Sequence, residues 1–222
     1  MTAIFNNIIA VRKQLPEEVK LVAVSKTRTI DEILEAYNAG QRLFGENRVA
    51  ELISKIDRLP ADIQWHMIGH LQTNKVKSII PFVSLIHSVD SFRLLSVINS
   101  EAAKAGRITD CLLQFYIASE ETKFGFSIEE AVEMFGRKEF RDLANVRIRG
   151  VMGMATFTDD QEKVRNEFSK LREYFSLLKD KYFTWRPDFN EISMGMSGDF
   201  RIAVEEGSTM VRIGSLIFGE RK

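Results

Sequence analysis

The spacing of apolar residues predicts a chain in which short strands alternate with helices. Residues 21–26 (LVAVSK) form a β-branched run typical of a strand buried on both faces of a parallel sheet. Other segments place apolar residues every three or four positions, as an amphipathic helix does. The predicted strands span residues 21–26, 42–46, 63–68, 85–89, 110–118 and 146–155, with two more inside 193–219.

Helices are predicted after the strands, and one helix precedes the first strand. Thr29 and Glu32 offer a capping box, and Gly40 stands where that helix would end. The N-terminal helix is indicated by the spacing of Ile4, Phe5, Ile8 and Val11. The other predicted helices cover residues 47–58, 73–80, 92–105 and 161–179, begin at Ser127 and near Gly198, and end with a short helix at 215–218.

Eight alternations of strand and helix predict a parallel sheet that closes as an α/β fold of the (β/α)8 barrel type. We expect one domain spanning residues 1–222. The competing arrangement is an open, doubly wound sheet. A dinucleotide bound there would require a glycine-rich turn after the first strand, and residues 27–29 (TRT) contain none, which favours the barrel.

Residues 193–219 (SMGMSGDFRIAVEEGSTMVRIGSLIFG) organise the predicted site. Two glycine-containing loops, with the hydroxyls of Ser193, Ser197 and Ser215 and exposed backbone N–H groups, would suit an anion such as phosphate. The last two loops and a short extra helix are the habitual phosphate position of such a barrel. The alternative is that the glycines only make turns and that Ser197 caps a helix.

Composition narrows the classes of function. The 222 residues are 45% hydrophobic, enough for one core, and the 31 Lys and Arg balance the 31 Asp and Glu. The chain therefore has no net field to attract nucleic acid or an acidic membrane. No apolar run approaches the roughly 18 residues that span a bilayer. Neither nucleic acid nor a membrane is an expected partner.

The single cysteine and the N-terminus both favour a cytoplasmic location. Cys111 stands alone in the sequence and cannot form an intrachain disulfide, which fits a reducing compartment. Its neighbours are apolar, so an unreactive strand residue is expected. The first residues lack the basic start and the small-residue cleavage site of a secretion signal.

Lys26 ends the first predicted strand, where barrels place their chemistry. One interpretation is a lysine that reaches solvent or pairs with Glu46. The other is a nucleophilic amine that forms a Schiff base with an aldehyde, its pKa lowered by apolar surroundings or by Arg28 and Arg212. A phosphate site across the mouth would make the partner a phosphorylated aldehyde.

Arg212 near the end of the last strand also has two interpretations. It could form a structural ion pair with Glu46 or Asp199, because a buried arginine needs acceptors. It could instead donate to an aromatic nitrogen and keep that nitrogen unprotonated, since arginine stays charged at ordinary pH.

The three histidines do not predict a metal site. His66 and His70 have the spacing of a metal pair on a helix, but on a strand they would lie about 13 Å apart. We expect no bound metal. His70 follows Gly69 in a tight turn, which slightly favours a role in the mouth over a helix cap, and His87 is expected in the core.

At these residues the chain closely resembles the pyridoxal phosphate homeostasis protein family. Its motifs stand here as LVAVSKT (21–27), FGENRV (44–49), WHMIGHLQTNK (65–75), RGVMGMATF (149–157) and the stretch 193–219. Several long motifs in the same order make the resemblance specific, and they cover nearly the whole chain.

The resemblance implies a barrel similar to the N-terminal domain of alanine racemase, of the fold type III class, holding pyridoxal 5′-phosphate (PLP). It places a Schiff base on Lys26, Arg212 at the pyridine nitrogen, and the phosphate on Gly214, Ser215 and the Ser193–Met194 turn. The cofactor-binding residues that it implies are Lys26, Asn47, His70, Ser193, Met194, Arg212, Gly214 and Ser215. Residues 115–116 (Phe-Tyr) depart from the family's valine and asparagine, so Tyr116 could reach the cofactor or pack in the core.

A binding and supply protein is expected rather than an enzyme. A racemase needs two acid–base groups, and Lys26 supplies one. In the related racemases the other comes from a partner subunit's tyrosine through an additional β domain, whereas this chain ends just after the last strand. An arginine at the ring nitrogen also weakens the cofactor as an electron sink.

The resemblance therefore implies a monomer that serves intracellular vitamin B6 homeostasis and passes PLP to apo-enzymes. Two other functions compete with this one. A racemase-like enzyme would exchange the α-hydrogen of an amino acid. An aldolase barrel that uses a lysine Schiff base without a cofactor would be colourless when purified.

Overall fold

Eight parallel strands close into a barrel in which each strand pairs with its neighbours in sequence and β8 pairs with β1. The computed structural model describes residues 2–118 and 124–220. The barrel confirms the predicted fold and excludes the open sheet. The strands are β1 (Lys20–Val24), β2 (Leu43–Glu46), β3 (Gln64–Met67), β4 (Val83–Val89), β5 (Thr109–Gln114), β6 (Val146–Met152), β7 (Glu191–Ser193) and β8 (Met210–Ile213).

Helices follow the strands and cover the outside of the barrel. The fourth begins with a 3-10 turn at Thr73–Lys75. The short helix predicted at 215–218 is present as the last one. The helices are α1 (Ala3–Arg12), α2 (Ile30–Asn38), α3 (Val49–Ile56), α4 (Val76–Ile79), α5 (Phe92–Lys104), α6 (Ile128–Gly136), α7 (Lys138–Arg141), α8 (Gln161–Tyr182), α9 (Phe200–Glu205) and α10 (Ser215–Phe218).

Local sequence signals fix several helix ends. Thr29 and Glu32 form the predicted capping box of α2, and Ser127 and Glu130 form a second one at α6. Both pairs satisfy backbone N–H groups that a first helical turn leaves open. Gly40 ends α2 with φ +88°, a conformation that glycine adopts without a steric penalty.

The strands separate two apolar clusters. Alternate residues of β1 go to different sides: Val22 lies in the small cluster inside the barrel, whereas Leu21 and Ala23 join the large cluster between sheet and helices. Because paired residues of parallel strands face the same side, Arg212 opposite Val22 and Ser193 opposite Met152 both face the barrel interior. The interior therefore carries polar side chains near the ends of β7 and β8.

Several predicted strands were too long at their C-terminal ends. Strand 21–26 stops at Val24, strand 110–118 at Gln114 and strand 146–155 at Met152. The apolar pattern continues past these points, but the backbone leaves the sheet. After β5, Phe115 forms a bridge with Phe126, and the Tyr116 N–H donates to the Phe126 carbonyl, 3.1 Å.

Candidate cofactor site

A cavity of about 600 Å³ opens at the C-terminal ends of β1, β6, β7 and β8. Lys26, Thr156, Ser197, Arg212 and the Gly214–Ser215 loop all contribute to its lining. The first and last strands of the barrel are hydrogen-bonded to each other, so residues almost 190 positions apart in sequence meet there. The same cavity is therefore lined by Lys26, by Arg212 and by the two loops from residues 193–219.

Lys26 lies in a tight turn just beyond β1 rather than in the strand. The Arg28 N–H donates to the Ser25 carbonyl, 3.0 Å, and closes a four-residue turn. Thr27, at the third position, has φ +66°, which is the sign that a type II turn requires there. Thr27 is the one non-glycine residue with positive φ in the described parts of the chain.

Glu46 pairs with Lys55, which excludes the predicted pairing of Glu46 with Lys26 or Arg212. The Lys55 ammonium donates to Glu46 Oε1, 2.7 Å, and the Ser25 hydroxyl donates to the same oxygen, 2.6 Å. Burial raises the pKa of Glu46, and the positive charge of Lys55 opposes this rise. Glu46 lies outside the barrel wall, beneath α3.

Arg212 faces the barrel interior and lines the cavity. Its Nη1 donates to the Ser193 carbonyl, 2.8 Å, and hydroxyl, 2.6 Å, and its Nη2 donates to the Gly153 carbonyl, 3.0 Å. Burial lowers the pKa of Arg212 to about 10, so it remains charged at neutral pH. A guanidinium has five N–H hydrogens, and these three bonds leave donor capacity toward the cavity.

Asp199 was the other predicted partner of Arg212, and its carboxylate binds a backbone N–H instead. Asp199 Oδ1 accepts from the Met196 N–H, 2.5 Å. Burial raises the pKa of Asp199, while the charge of Arg212 acts in the opposite sense. Arg212 therefore influences Asp199 through space, and the side-chain hydrogen bonds of Arg212 within the described residues go to Ser193 and Gly153.

Two buried histidines extend the hydrogen bonds of Arg212 across the barrel. His87 Nδ1 lies 3.0 Å from Ser193 Oγ, and His87 Nε2 lies 3.0 Å from His66 Nδ1. We call His66, His87, Ser193 and Arg212 the interior chain. It links β3 and β4 to β7 and β8, on the opposite side of the barrel.

The bonds of the interior chain form without a charge on either ring. Arg212 can only donate, so Ser193 Oγ accepts from it. A hydroxyl and a neutral imidazole can each donate and accept, so either direction of the Ser193–His87–His66 bonds satisfies both of them. Burial lowers the pKa of His66 to about 3 and that of His87 well below its ordinary value. Sequence reasoning placed His87 in the core without finding this role.

The two loops from residues 193–219 approach each other through Ser197. The Gly214 N–H donates to the Ser197 hydroxyl, 3.3 Å. Ser197 is not the cap of α9, because Asp199 is its N-terminal flanking residue. Gly198 also lines the cavity. A Cβ added there would meet no atom within 4 Å, so the space next to its Cα is open.

Ser193 and Met194 are fully buried beside the cavity and do not line it. The Ser193 hydroxyl belongs to the interior chain. The Met194 N–H donates to the Met210 carbonyl, 3.2 Å, and its carbonyl accepts from the Ser208 hydroxyl, 2.8 Å. Their contact with a phosphate stays a prediction from the family resemblance.

Asn47 and His70 lie on neighbouring loops, and neither lines this cavity. A Cβ at Gly69 would approach the Asn47 carbonyl oxygen to 2.4 Å, so this loop crossing requires glycine. His70 Nδ1 lies 3.1 Å from Asp90 Oδ2, and its ring packs on Phe124 with a centroid distance of 4.3 Å. Tyr116 is half-buried and also does not line the cavity.

No cluster of three or more His, Cys, Asp or Glu side chains among residues 2–118 and 124–220 has the arrangement of a metal site. Within the same parts of the chain, every helix is too short or too polar to cross a bilayer. Cys111 is buried, and burial raises the pKa of its thiol.

The barrel and its mouth define the class of protein. The family model of the alanine racemase N-terminal domain matches residues 1–222. Alanine racemase from Streptomyces coelicolor A3(2) shares the fold, with a TM-score of 0.78 and 16% identity. That match covers 99% of this chain and 58% of the racemase.

Closer relatives identify the family. The pyridoxal phosphate homeostasis protein of Aquifex aeolicus is 43% identical over 204 residues, covering 91% of this chain and 87% of the relative. The protein of that name from Schizosaccharomyces pombe is 32% identical over 231 residues, covering 100% and 94%. PipY of Synechococcus elongatus, solved with PLP bound, superposes with a TM-score of 0.85 at 35% identity, covering 97% of this chain and 100% of PipY. The chain belongs to the pyridoxal phosphate homeostasis protein family, which confirms the resemblance of its motifs.

Proposed function

We propose that this protein binds pyridoxal 5′-phosphate in the cavity at the mouth of its barrel, with a Schiff base on Lys26, and serves cellular PLP homeostasis and supply. One observation carries the proposal: Lys26, Arg212 and the Gly214–Ser215 loop line the same cavity. The PLP-bound structure of PipY supports it. The proposal treats residues 1–222 as one cofactor-binding domain that acts as a monomer.

The cavity fits this cofactor in size and in donor set. Ligand sites in proteins typically measure about 300–1,000 Å³, and this one measures about 600 Å³. When bound, PLP would supply an aldehyde, a pyridine nitrogen and a phosphate. Lys26 offers an amine, Arg212 offers a charged donor, and the first turn of α10 has N–H groups without helical partners. Ser193, Met194, Asn47 and His70 would support the site from neighbouring positions.

Lys26 would attach the cofactor by condensation. Its neutral amine would attack the aldehyde carbon and form a C=N bond in place of the C=O bond, while the carbonyl oxygen leaves as water together with the two amine hydrogens. The step needs neither an oxidant nor a reductant. Arg212 keeps its proton at neutral pH, so it would hold the ring nitrogen unprotonated and make the ring a poor electron sink.

An absorbance spectrum tests the proposal. Protein mixed with PLP and then freed of excess is expected to show a visible band from the C=N bond, and Lys26→Ala should lose it. Lys20→Ala, which removes the lysine at the start of β1, away from the turn that carries Lys26, should keep the band. A colourless wild-type protein that PLP cannot reconstitute would overturn the proposal, and would also fit the cofactor-free aldolase.

We infer that apo-enzymes that require PLP are the recipients. Phe157 lines the cavity and is 97% exposed, and Met154 on the same loop is 43% exposed, so apolar side chains stand near the cavity where a recipient would dock. Loaded protein is expected to activate an apo-enzyme faster than the same concentration of free PLP. Equal rates, unaffected by Phe157→Ser, would contradict direct transfer.

A racemase-like activity is the second candidate, and the match to the alanine racemase domain favours it. Such an enzyme would exchange the α-hydrogen of alanine for deuterium in heavy water. We expect the loaded protein to show no exchange above that of free PLP. Exchange that depends on Lys26 would assign the protein to the enzymes.

A further inference from the structure

We propose that Glu46, Glu51 and Lys55 form a positioning cluster that holds the turn carrying Lys26 and thereby sets how fast Lys26 captures an aldehyde. We call these three residues the Lys55 cluster. The inference rests on the proposed function and adds three residues that do not line the cavity. They act through the backbone of the turn rather than through contact with the ligand.

Lys55 is the centre of the cluster. It lies in the last turn of α3 and is 4% exposed. Its ammonium donates to the Ser25 carbonyl, 2.8 Å, to Glu46 Oε1, 2.7 Å, and to Glu51 Oε1, 2.7 Å. An ammonium has three hydrogens, so its donor capacity is fully used.

The same cluster holds the turn on both sides of Lys26. On one side, the Ser25 carbonyl accepts from Lys55, and the Ser25 hydroxyl donates to Glu46, 2.6 Å. On the other side, the Thr27 N–H donates to Glu51 Oε1. Both neighbours of Lys26 are therefore tied to one group of charges, while Lys26 itself is directed toward the cavity.

The turn needs such support because its conformation is unfavourable for its sequence. Thr27 has φ +66°, a left-handed conformation that glycine and asparagine adopt readily and that a β-branched residue avoids. Strain of this kind persists where the surroundings fix it, and it is frequent near functional sites. Here the hydrogen bonds that Glu51 and Lys55 form with the turn hold Thr27 in this conformation.

Position matters for the condensation because the amine nitrogen must come within about 3–3.5 Å of the aldehyde carbon, in the right direction. A displacement of about 1 Å can slow a reaction about 100-fold. Release of the turn should therefore slow bond formation and leave the binding of the ring and phosphate intact. This separation distinguishes positioning from a general effect on folding.

The test compares two ligands with Lys55→Met. Pyridoxal 5′-phosphate reports on capture by Lys26, and pyridoxine 5′-phosphate, an alcohol in place of the aldehyde, reports on the cavity alone. We expect the rate constant for appearance of the visible band to fall at least about tenfold. The Kd for pyridoxine 5′-phosphate should change less than about twofold. Lys55→Arg, which keeps the charge and the donors, should recover part of the rate.

Lys20→Met is the matched control. Lys20 forms an ion pair with the buried carboxylate of Glu191 at the other end of β1, so this variant also removes a lysine from a pair between structural elements. Its capture rate should match wild type. Equal rates in wild type, Lys55→Met and Lys20→Met would overturn the inference, as would a parallel loss of pyridoxine 5′-phosphate binding in Lys55→Met.

A second variant covers the case in which Lys55→Met does not fold. Lys55→Met combined with Glu46→Gln removes both buried charges and leaves an acceptor for the Ser25 hydroxyl, so folding should be retained. Slow capture in this variant supports the inference, and capture at the wild-type rate overturns it.

Failure of the proposed function gives a different result from failure of this inference. If the proposed function is wrong, wild-type protein forms no visible band with PLP. If only the inference is wrong, the band forms at the same rate in all variants.

Discussion

Two groups of buried polar side chains lie on opposite sides of the barrel wall, and they differ in how many of their members carry a charge. Inside the barrel, the interior chain joins two neutral histidines and a serine to one charged arginine. Outside the wall, the Lys55 cluster brings three ionisable groups together. The interior chain reaches the cavity through Arg212, and the Lys55 cluster lies behind Lys26.

The two groups show how burial and the available partners decide which side chains are charged near the cavity. His66 and His87 are enclosed on all sides and have neutral hydrogen-bond partners, so burial suppresses their charged forms. Glu51 is 20% exposed and shares the Lys55 ammonium with Glu46, so a charged arrangement is possible there. Under the two proposals, the interior chain would set the environment of the pyridine nitrogen, and the Lys55 cluster would set the position of the Lys26 amine.

Removal of Lys55 should give the largest loss of stability. Lys55→Met leaves the buried carboxylate of Glu46 without its cation, and breaking a buried pair in this way costs about 3–5 kcal/mol. The free energy of unfolding, measured in urea, should fall by that amount. Glu46→Gln added to Lys55→Met should recover most of the loss. An equal loss in both variants would show that charge is not what the cluster contributes.

Removal of the Ser193 hydroxyl should have the next largest effect. Ser193→Ala breaks the interior chain and leaves His87 Nδ1 without its hydrogen-bond partner, at a cost of about 1–3 kcal/mol. Ser88→Ala is the control, because the buried Ser88 hydroxyl has no partner among the described residues. Urea unfolding should show a loss for Ser193→Ala and none for Ser88→Ala. Equal free energies of unfolding in the two variants would contradict the role of Ser193 in the interior chain.

The interior histidines should make the protein sensitive to acid. The folded pKa of His66, about 3, lies below its ordinary value of 6.5, so the unfolded state binds more protons between these pH values. Stability contributed by each such histidine is complete above about pH 6.5 and falls by about 1.4 kcal/mol per pH unit below it. The pKa of Glu46 is raised by burial, so its contribution to stability increases as the pH falls, opposite to that of the histidines.

Urea unfolding at several pH values between 7 and 5 measures this slope. His66→Asn cannot titrate and should reduce the slope by about 1 kcal/mol per pH unit averaged over this range, and by about 1.4 kcal/mol per pH unit at its acid end. Thr109→Val, which changes a buried polar side chain that does not titrate, should leave the slope as it is in wild type. An unchanged slope in His66→Asn would mean that His66 is already charged in the folded protein.

The smallest effect on stability is expected at Thr27. Thr27→Gly relieves the left-handed strain but increases the freedom of the unfolded chain, so the free energy of unfolding should change by less than about 1 kcal/mol. Capture of PLP should nevertheless slow, because glycine does not restrict the turn. Gly40→Ala, at another position with positive φ, should destabilise the protein without affecting capture. Unchanged capture in Thr27→Gly would show that the Lys55 cluster holds the turn without help from Thr27.

The barrel was predictable because its strands and helices are encoded by local patterns. Periodic apolar residues and the capping box of Thr29 and Glu32 are short-range signals, and the structure confirms them. The same reasoning predicted that Lys26, Arg212 and the Gly214–Ser215 loop would meet, since each follows or ends a strand and barrel strands end on one face.

The two polar groups were not predictable because each depends on tertiary contacts. His87 and Ser193 are 106 residues apart in sequence and meet only after the barrel closes. Glu51 and Lys55 have the spacing of an ordinary surface pair on a helix. What makes them a buried cluster is Ser25, 30 residues before Lys55, and the turn that follows β1.

Chemical trapping of the bound cofactor tests the central claim most directly. Protein loaded with PLP is reduced with borohydride, which converts the C=N bond to a stable C–N bond, and then digested for peptide mass spectrometry. We expect one modified lysine, Lys26, in wild type and no modified lysine in Lys26→Ala. Stable modification of a different lysine, or bound PLP that reduction does not attach to Lys26, would contradict it.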